Sequence, residues 1–467
     1  MSVSKNWLFG ALFCSALFLF LFRLGAFPFL DYDEATYALV FSESFQSGDF
    51  LSFTRHGQLE IDKPPLLYWL MAGSVWIFGE NEFAMRLPAA LLGLAAVWGA
   101  GLVAWQLTKN KWKALLASAI LLTIGDFIFA ARQVRMDVPV AAAIIFALYF
   151  FIRGWDKQKW YLGFGICLAA GALFKSVIGL LIFPVILIFS AVYFRWDWLK
   201  SGYFWVGEVL ALLLIAPWFW YETAQFGTGF LQKFFTHSIT SRFTKDPVSW
   251  LYYPKFLFQL AQPWITVFAL ILLGIIGKFN FWRKKDPLAI ASLGSVLFIF
   301  VFFEAASFKL FYYLEPIYPF LAIFVSCALV NFFETAERAS QKRLLAGVCA
   351  LLIIGFVSVN WQIWEIGGGQ GSEYALAKEE KDIGQYLAAQ NFSEKVYSSN
   401  FYNYETIYYY GRKKNFNLTP FRGDLNEAPF FLIIPNSILR VYDLDSKIQE
   451  KSRIVYTGEI LTMFEAR

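Results

Sequence analysis

The sequence predicts an all-α polytopic membrane protein of about eleven transmembrane helices, followed by a small C-terminal α/β domain outside the membrane. Three observations carry this reading. The 467-residue chain is 58% hydrophobic and only 16% charged, whereas soluble domains run at about 45–50% apolar and about 25% charged. Apolar stretches recur at the length that crosses a hydrocarbon core of roughly 30 Å. After residue 365 the composition returns to ordinary polarity. The net charge of +5 is small and spread along the chain, so nothing supports binding of nucleic acid.

The first apolar segment, 7–30, is longer than the h-region of a signal peptide. Phe27, Pro28 and Phe29 stand where a small-x-small cleavage site would be, so the segment reads as an uncleaved first span. Further spans fall near 87–107, 114–131, 138–153, 160–175, 177–194, 203–222, 264–282, 287–304, 311–333 and 344–364. With a cytoplasmic N-terminus, the inner loops are 108–113, 153–159, 195–200, 282–286 and 334–343. Each is short and carries at least two Lys or Arg, the bias expected of cytoplasmic loops. The segments 31–86, 132–137, 223–263 and 305–310, the turn near 175–176 and the tail then face outside. They bring Asp31, Asp33, Glu34, Asp62, Lys63, Arg135, Asp137, Lys175, His237, Arg242 and Lys309 to one face of the membrane. Snorkelling explains a single Lys at a span end but not short acids such as Asp33 and Asp137.

The outer loop opens with "DYDEATYA", residues 31–38, directly after the first span. Asp33 can cap a helix running from Glu34 to about Gln46 and ended by Gly48; capping by Asp31 instead leaves Asp33 free in the first turn. "PPLLYWLMAGSVWIFG" (64–79) is too short to span. It suits a helix lying in the outer interface, with Tyr68, Trp69 and Trp76 at headgroup depth. The chain thus divides into a membrane domain, 1–365, and a C-terminal domain, 366–467, joined through "GGGQG" (367–371), which reads as a linker. In the tail "EYALAKEEKDIGQYLAAQ" has helical periodicity, and "KVYSSN", "APFFLIIP" and "SRIVYTG" read as strands. All four Cys (14, 167, 327 and 349) lie in predicted spans and the chain has only two His, so neither a disulfide framework nor a Cys/His metal cluster is expected.

Several blocks, in order, resemble the bacterial aminoarabinose transferases, protein-mannosyltransferase-like glycosyltransferases of the GT-C class. The blocks are "DEATYA", "SGDFLSFTRHGQLEIDKPPLLYWL", "GENEFAMRLPAALLG", "RQVRMDVPVAA", "ALFKSVIGLLIFP", "HSITSRFTKDPVSWLYYPKFLFQLAQPW" and "SFKLFYYLEPIYPFLA". The resemblance covers the whole membrane region; the tail matches only in position and size class.

The resemblance implies a GT-C enzyme that takes a sugar from a polyprenyl-phosphate (undecaprenyl-phosphate) carrier. It would pass the sugar, with inversion, to an acceptor at the outer face of a bacterial inner membrane: lipid A, a related glycolipid or a protein hydroxyl. It puts Asp33 in the catalytic role, orienting and deprotonating the acceptor, with Glu34 as the second member of the acidic pair. Lys63 falls near the carrier phosphate, and Asp62 beside it is a metal candidate, its oxygens suiting Mg²⁺ or Mn²⁺ with Zn²⁺ also open. Arg135, Asp137, Lys175, His237, Arg242, Lys309, Tyr312 and Tyr313 fall on substrate-binding stretches, their cations suited to a leaving phosphate. Two positions depart from the pattern: Thr36 stands where an Arg is usual, and Asp62 where a Glu is usual. Both loosen the tie to aminoarabinose as the sugar. The rival from another class is a lipid or sugar transporter, but transporters place charge near the bilayer midplane, often between internal repeats. Here Glu208 is the main midplane charge and no repeat of the acidic block is found.

Overall fold

The computed structural model describes residues 6–30, 33–60, 63–236, 252–276, 286–307, 309–368, 372–389, 395–398, 405–411, 418–420, 430–437 and 452–466. It is a polytopic helical membrane protein with a small sheet near the C-terminus. Among the described residues seven helices are long and apolar enough to cross a membrane: Glu82–Thr108, Asp137–Gly154, Gln158–Tyr193, Gly202–Phe226, Pro287–Glu304, Phe311–Thr335 and Arg338–Trp364. Two bent pairs bring the number to nine, Lys111–Leu122 with Gly125–Ala131 at 69° and Tyr252–Leu260 with Trp264–Gly274 at 116°.

By length and composition alone, two of the eleven expected spans do not stand as separate crossings among the described residues. The first helix, Asn6–Leu21, has 16 residues and is shorter than a full crossing. The stretch expected as two spans, 160–175 and 177–194, is one helical run of 36 residues. At 1.5 Å per residue a straight run of that size would be about 54 Å long, too much for one crossing. Its direction breaks at Ser176, whose φ is 50°. Gly179 follows against the backbone of Gly171; a Cβ there would lie 2.2 Å from the Gly171 carbonyl carbon.

The bundle shares one apolar core, in which Phe20, Phe41, Phe127, Phe151, Tyr161, Trp264 and Tyr318 are fully buried. Polar ties fix the helices to one another. Lys113 Nζ lies 2.5 Å from Asp286 Oδ2, which also accepts a hydrogen bond from Asn331 at 2.9 Å, joining three helices next to the 108–113 loop. Asp286 in addition caps its own helix through Leu288 N–H, with Pro287 at the first helical position.

The Asp33–Ser47 helix and the stop at Gly48 (φ 73°) match the expected outer helix. A short hairpin follows, β1 (Thr54–Arg55) paired with β2 (Gln58–Leu59). The apolar stretch after the Pro pair forms the helix Leu66–Phe78, with Trp76 81% and Ile77 75% exposed. Tyr68 is not at the interface as expected: it is buried against Phe53, because the outer loop folds back over this helix and Trp69 Nε1 donates to Phe50 O at 2.7 Å.

The C-terminal sheet has the order β4-β3-β5-β7-β6, from β3 (Lys395–Ser398), β4 (Leu418–Pro420), β5 (Phe430–Pro435), β6 (Ser452–Thr457) and β7 (Leu461–Ala466). β3 runs parallel to β4 and β5, while β7 is antiparallel to β5 and β6. The helices Ser372–Ala389 and Glu405–Gly411 pack Ile383, Leu387 and Ile407 onto Val396, Ile433 and Met463. The three expected strands and the expected helix are found; β4, β7 and the short helix were not foreseen. Of the glycine stretch, 367–368 ends the helix Arg338–Gly368 and 369–371 lies outside the described residues.

Candidate active site

The exit of the first helix is held by two buried arginines. Arg132 donates to Leu19 O at 2.6 Å and Phe22 O at 2.7 Å, occupying carbonyls that the helix end leaves unpaired. Burial lowers the pKa of Arg132 to about 10, with the nearby Arg86 adding to the effect. Arg86, fully buried, donates to Leu24 O, Phe27 O and Pro28 O and grips Glu34 through Nε at 2.8 Å and Nη2 at 3.0 Å. Glu34 also accepts from Leu30 N–H at 2.9 Å and Val134 N–H at 3.0 Å. This corrects the substrate-binding expectation for Glu34. Its oxygens are taken up inside the protein, and it fastens the 27–34 and 132–136 segments to the Glu82–Thr108 helix.

That fastening sets Asp33 beside Arg135. The Asp33 side chain is 36% exposed, and its Oδ2 lies 3.5 Å from Arg135 Nη2. Arg135 Nε lies 3.7 Å from Asp137 Oδ2, and Asp137 in turn pairs with Lys175. Burial alone would lower the Arg135 pKa; the carboxylates of Asp137 and then Asp33 more than offset this and leave it raised, so Arg135 stays charged. The turn Phe311–Ile317 covers these cations with aromatic faces. The Tyr312 ring centroid is 3.5 Å from the Arg135 guanidinium, and the Tyr313 ring is 4.6 Å from Lys175 Nζ. Lys63 Nζ approaches the Tyr37 ring at 6.0 Å. Burial, with Asp33 next, pushes the Tyr37 pKa well up, so the hydroxyl stays protonated as a donor.

Of the residues expected at the site, Asp33, Arg135, Asp137, Lys175, Tyr312 and Tyr313 lie together, with Lys63 at the edge of the group. Lys309 makes its own pair with Glu304 at 2.8 Å, and its Nζ lies 5.8 Å from the Tyr253 ring. Asp31, Asp62, His237 and Arg242 lie outside the described residues. Among the described residues no three acidic, His or Cys side chains come together to hold a metal ion. Tyr37, Arg86 and Glu304 were missed. Tyr37 had a local signal, standing four residues after Asp33 and so on the same helix face.

The comparisons agree with this architecture. Residues 62–221 match the family model described as dolichyl-phosphate-mannose-protein mannosyltransferase. An undecaprenyl phosphate-alpha-4-amino-4-deoxy-L-arabinose arabinosyl transferase from Aeromonas hydrophila is 29% identical over 367 residues, covering 74% of this chain and 65% of that protein. An uncharacterized protein from Aquifex aeolicus is 28% identical over 335 residues, covering 70% of this chain and 64% of that one. The chain thus spans slightly less than two thirds of the length of these relatives. The crystal structure of ArnT from Cupriavidus metallidurans bound to undecaprenyl phosphate superposes with a TM-score of 0.77 at 18% identity, covering 99% of this chain and 98% of that one. The chain shares the fold of that ArnT. The likeness of fold extends at lower similarity to the oligosaccharyltransferase of Archaeoglobus fulgidus, with a TM-score of 0.62 at 12% identity over 93% of this chain and 70% of that one.

Proposed function

We propose that this protein transfers a sugar from a polyprenyl-phosphate carrier to an acceptor at the outer face of a bacterial inner membrane, with lipid A or a related glycolipid as the acceptor. The observation that carries the proposal is the junction of a partly exposed carboxylate, Asp33, with the buried cations Arg135 and Lys175 at the end of the first helix. The names of the relatives, arabinosyl transferases acting with undecaprenyl phosphate, support the same reading.

In this reading the carrier phosphate lies toward Lys63, Lys175 and Arg135. Asp33 faces the acceptor oxygen, which attacks the anomeric carbon from the side opposite the phosphate and inverts it. The anomeric C–O bond to phosphate breaks, its electron pair stays on the leaving phosphate oxygen, and the cations stabilise the added charge. A hydroxyl acceptor gives its proton to Asp33; a phosphate acceptor is already ionised and needs only orientation. Asp137, shared between Arg135 and Lys175, holds both cations in place and limits the net positive charge before donor arrives. Asp62, the candidate ligand of a divalent cation, lies outside the described residues, and no step here passes through a metal ion. A protein hydroxyl as acceptor is the second reading, favoured by the match of 62–221 to the protein mannosyltransferase model. The N-terminus and the positive loops are proposed to be cytoplasmic and the C-terminal sheet periplasmic.

The test compares lipid A and polyprenyl-phosphate sugars by mass spectrometry in cells with the parent protein, without it, and with Asp33→Asn. The parent should convert carrier-linked sugar into a modified acceptor. With a hydroxyl acceptor the variant should lose about 10² to 10⁴ in rate, the weight of a general base, and with a phosphate acceptor the smaller part that orientation supplies. Asn caps a helix as well as Asp, so its melting should stay near the parent's. Transfer by Asp33→Asn at near-parental rate would remove Asp33 from catalysis.

A further inference from the structure

Glu304 is badly placed for the fold. It is the last residue of the helix Pro287–Glu304, where the macrodipole disfavours a negative charge. Its side chain is buried, and Oε2 has no hydrogen-bond partner among the described residues, a costly state for a carboxylate. Its other oxygen, Oε1, accepts from Lys309 Nζ at 2.8 Å, in a pair of which both side chains are more than nine-tenths buried. The pair borders the cation cluster: Tyr313, the ring over Lys175, lies 5.9 Å from the Phe303 ring, and Tyr253 faces Lys309.

We infer that Glu304 is an internal counter-ion that occupies Lys309 in the donor-free protein and yields it to the incoming carrier phosphate. The inference rests on the proposed function and adds Lys309 to the cations that meet the carrier phosphate. Without an anion, a buried lysine needs a partner, and Glu304 supplies it. When phosphate arrives, Lys309 exchanges one oxyanion for another, so the donor gains only the difference between the two contacts. The arrangement weakens retention of the product most, because polyprenyl phosphate carries more negative charge than the sugar-linked diester and meets Glu304 more strongly. Glu304 thereby lowers affinity and speeds release.

The experiment measures binding of undecaprenyl phosphate to the purified full-length protein in detergent, alongside steady-state transfer. Glu304→Gln keeps the shape and removes the competing charge. It should bind undecaprenyl phosphate about tenfold tighter, the equivalent of one charge-assisted contact, and show a lower KM with a kcat no higher than the parent's. Lys309→Ala should bind more weakly, and adding Glu304→Gln to it should bring less than the gain seen in the parent, because the competition for Lys309 is gone. Glu304→Ser gives a second route to the same answer if the Gln variant melts early. Unchanged or weaker binding in a folded Glu304 variant would overturn the inference, since Glu304 would then orient Lys309 toward phosphate. A parent that binds no undecaprenyl phosphate would overturn the proposed function as well.

Discussion

Replacing Glu34 by Ala leaves the Arg86 guanidinium fully buried with only carbonyl oxygens for partners. Removing one member of a buried ion pair costs about 3–5 kcal/mol, so Glu34→Ala should melt far below the parent or fail to accumulate. Thermal unfolding in detergent checks this, and a shift no larger than that of a surface substitution would deny Glu34 its fastening role. Its neighbour Asp33 should behave in the opposite way, tolerated in stability and required in turnover. The two acids are adjacent in "DEATYA" and nothing local tells them apart. What separates them is Arg86, 52 residues away, and Val134, 100 residues away. Long-range pairing of this kind leaves no trace in spacing or periodicity, which is why the sequence reading gave Glu34 a substrate role. Asp137 and Lys175 were legible one by one, as ionisable groups at span ends, but their pairing was not.

Among the elements, the break at Ser176 has the sharpest consequence. Gly179 lies so close to Gly171 and Ala172 that an added Cβ would sit 2.2 Å from one backbone atom and 2.5 Å from another. Backbone cannot step aside as a side chain can, and overpacking of this kind costs about 1–3 kcal/mol. Gly179→Ala should therefore lower the melting temperature and, by shifting the end of the Tyr161–Lys175 helix, weaken transfer. Gly202→Ala, at a helix start with open space around it, is the control and should do neither. Equal behaviour of the two would show that this contact does not set the position of Lys175. Element positions were the most legible part of the chain, since apolar runs bounded by Lys, Asn, Pro and Gly mark helices well. Tyr68 shows the limit: an aromatic in an apolar run can face headgroups or a folded-back loop, and only the fold of residues 49–53 decides between them. β4 is three residues long, too short to carry a period, and went unseen.

At the scale of the whole molecule, the C-terminal sheet is tied to the outer layer of the bundle. Lys381 and Tyr410 both reach Glu82 at 2.7 Å, Thr406 donates to Phe29 O, and His56 lies 3.0 Å from Glu405. The tail and the candidate site must then share one side of the membrane, which we propose from the Lys/Arg bias to be the periplasmic one. A Cys placed at exposed Lys378 should be labelled by an impermeant reagent in intact spheroplasts; labelling only after lysis would invert the topology. The same ties bear on the order in which the protein is made. Tyr410 accepts from Phe29 N–H across 381 residues, and Phe29 belongs to the segment that also gives Arg86 its carbonyl partners. The exit of the first helix leaves the ribosome early, while the helix Glu405–Gly411 that grips it from above leaves late. Until that helix docks, the segment leading into Asp33 is held from one side only. The last contact on this segment is thus one that forms only after the chain of every described span has been made.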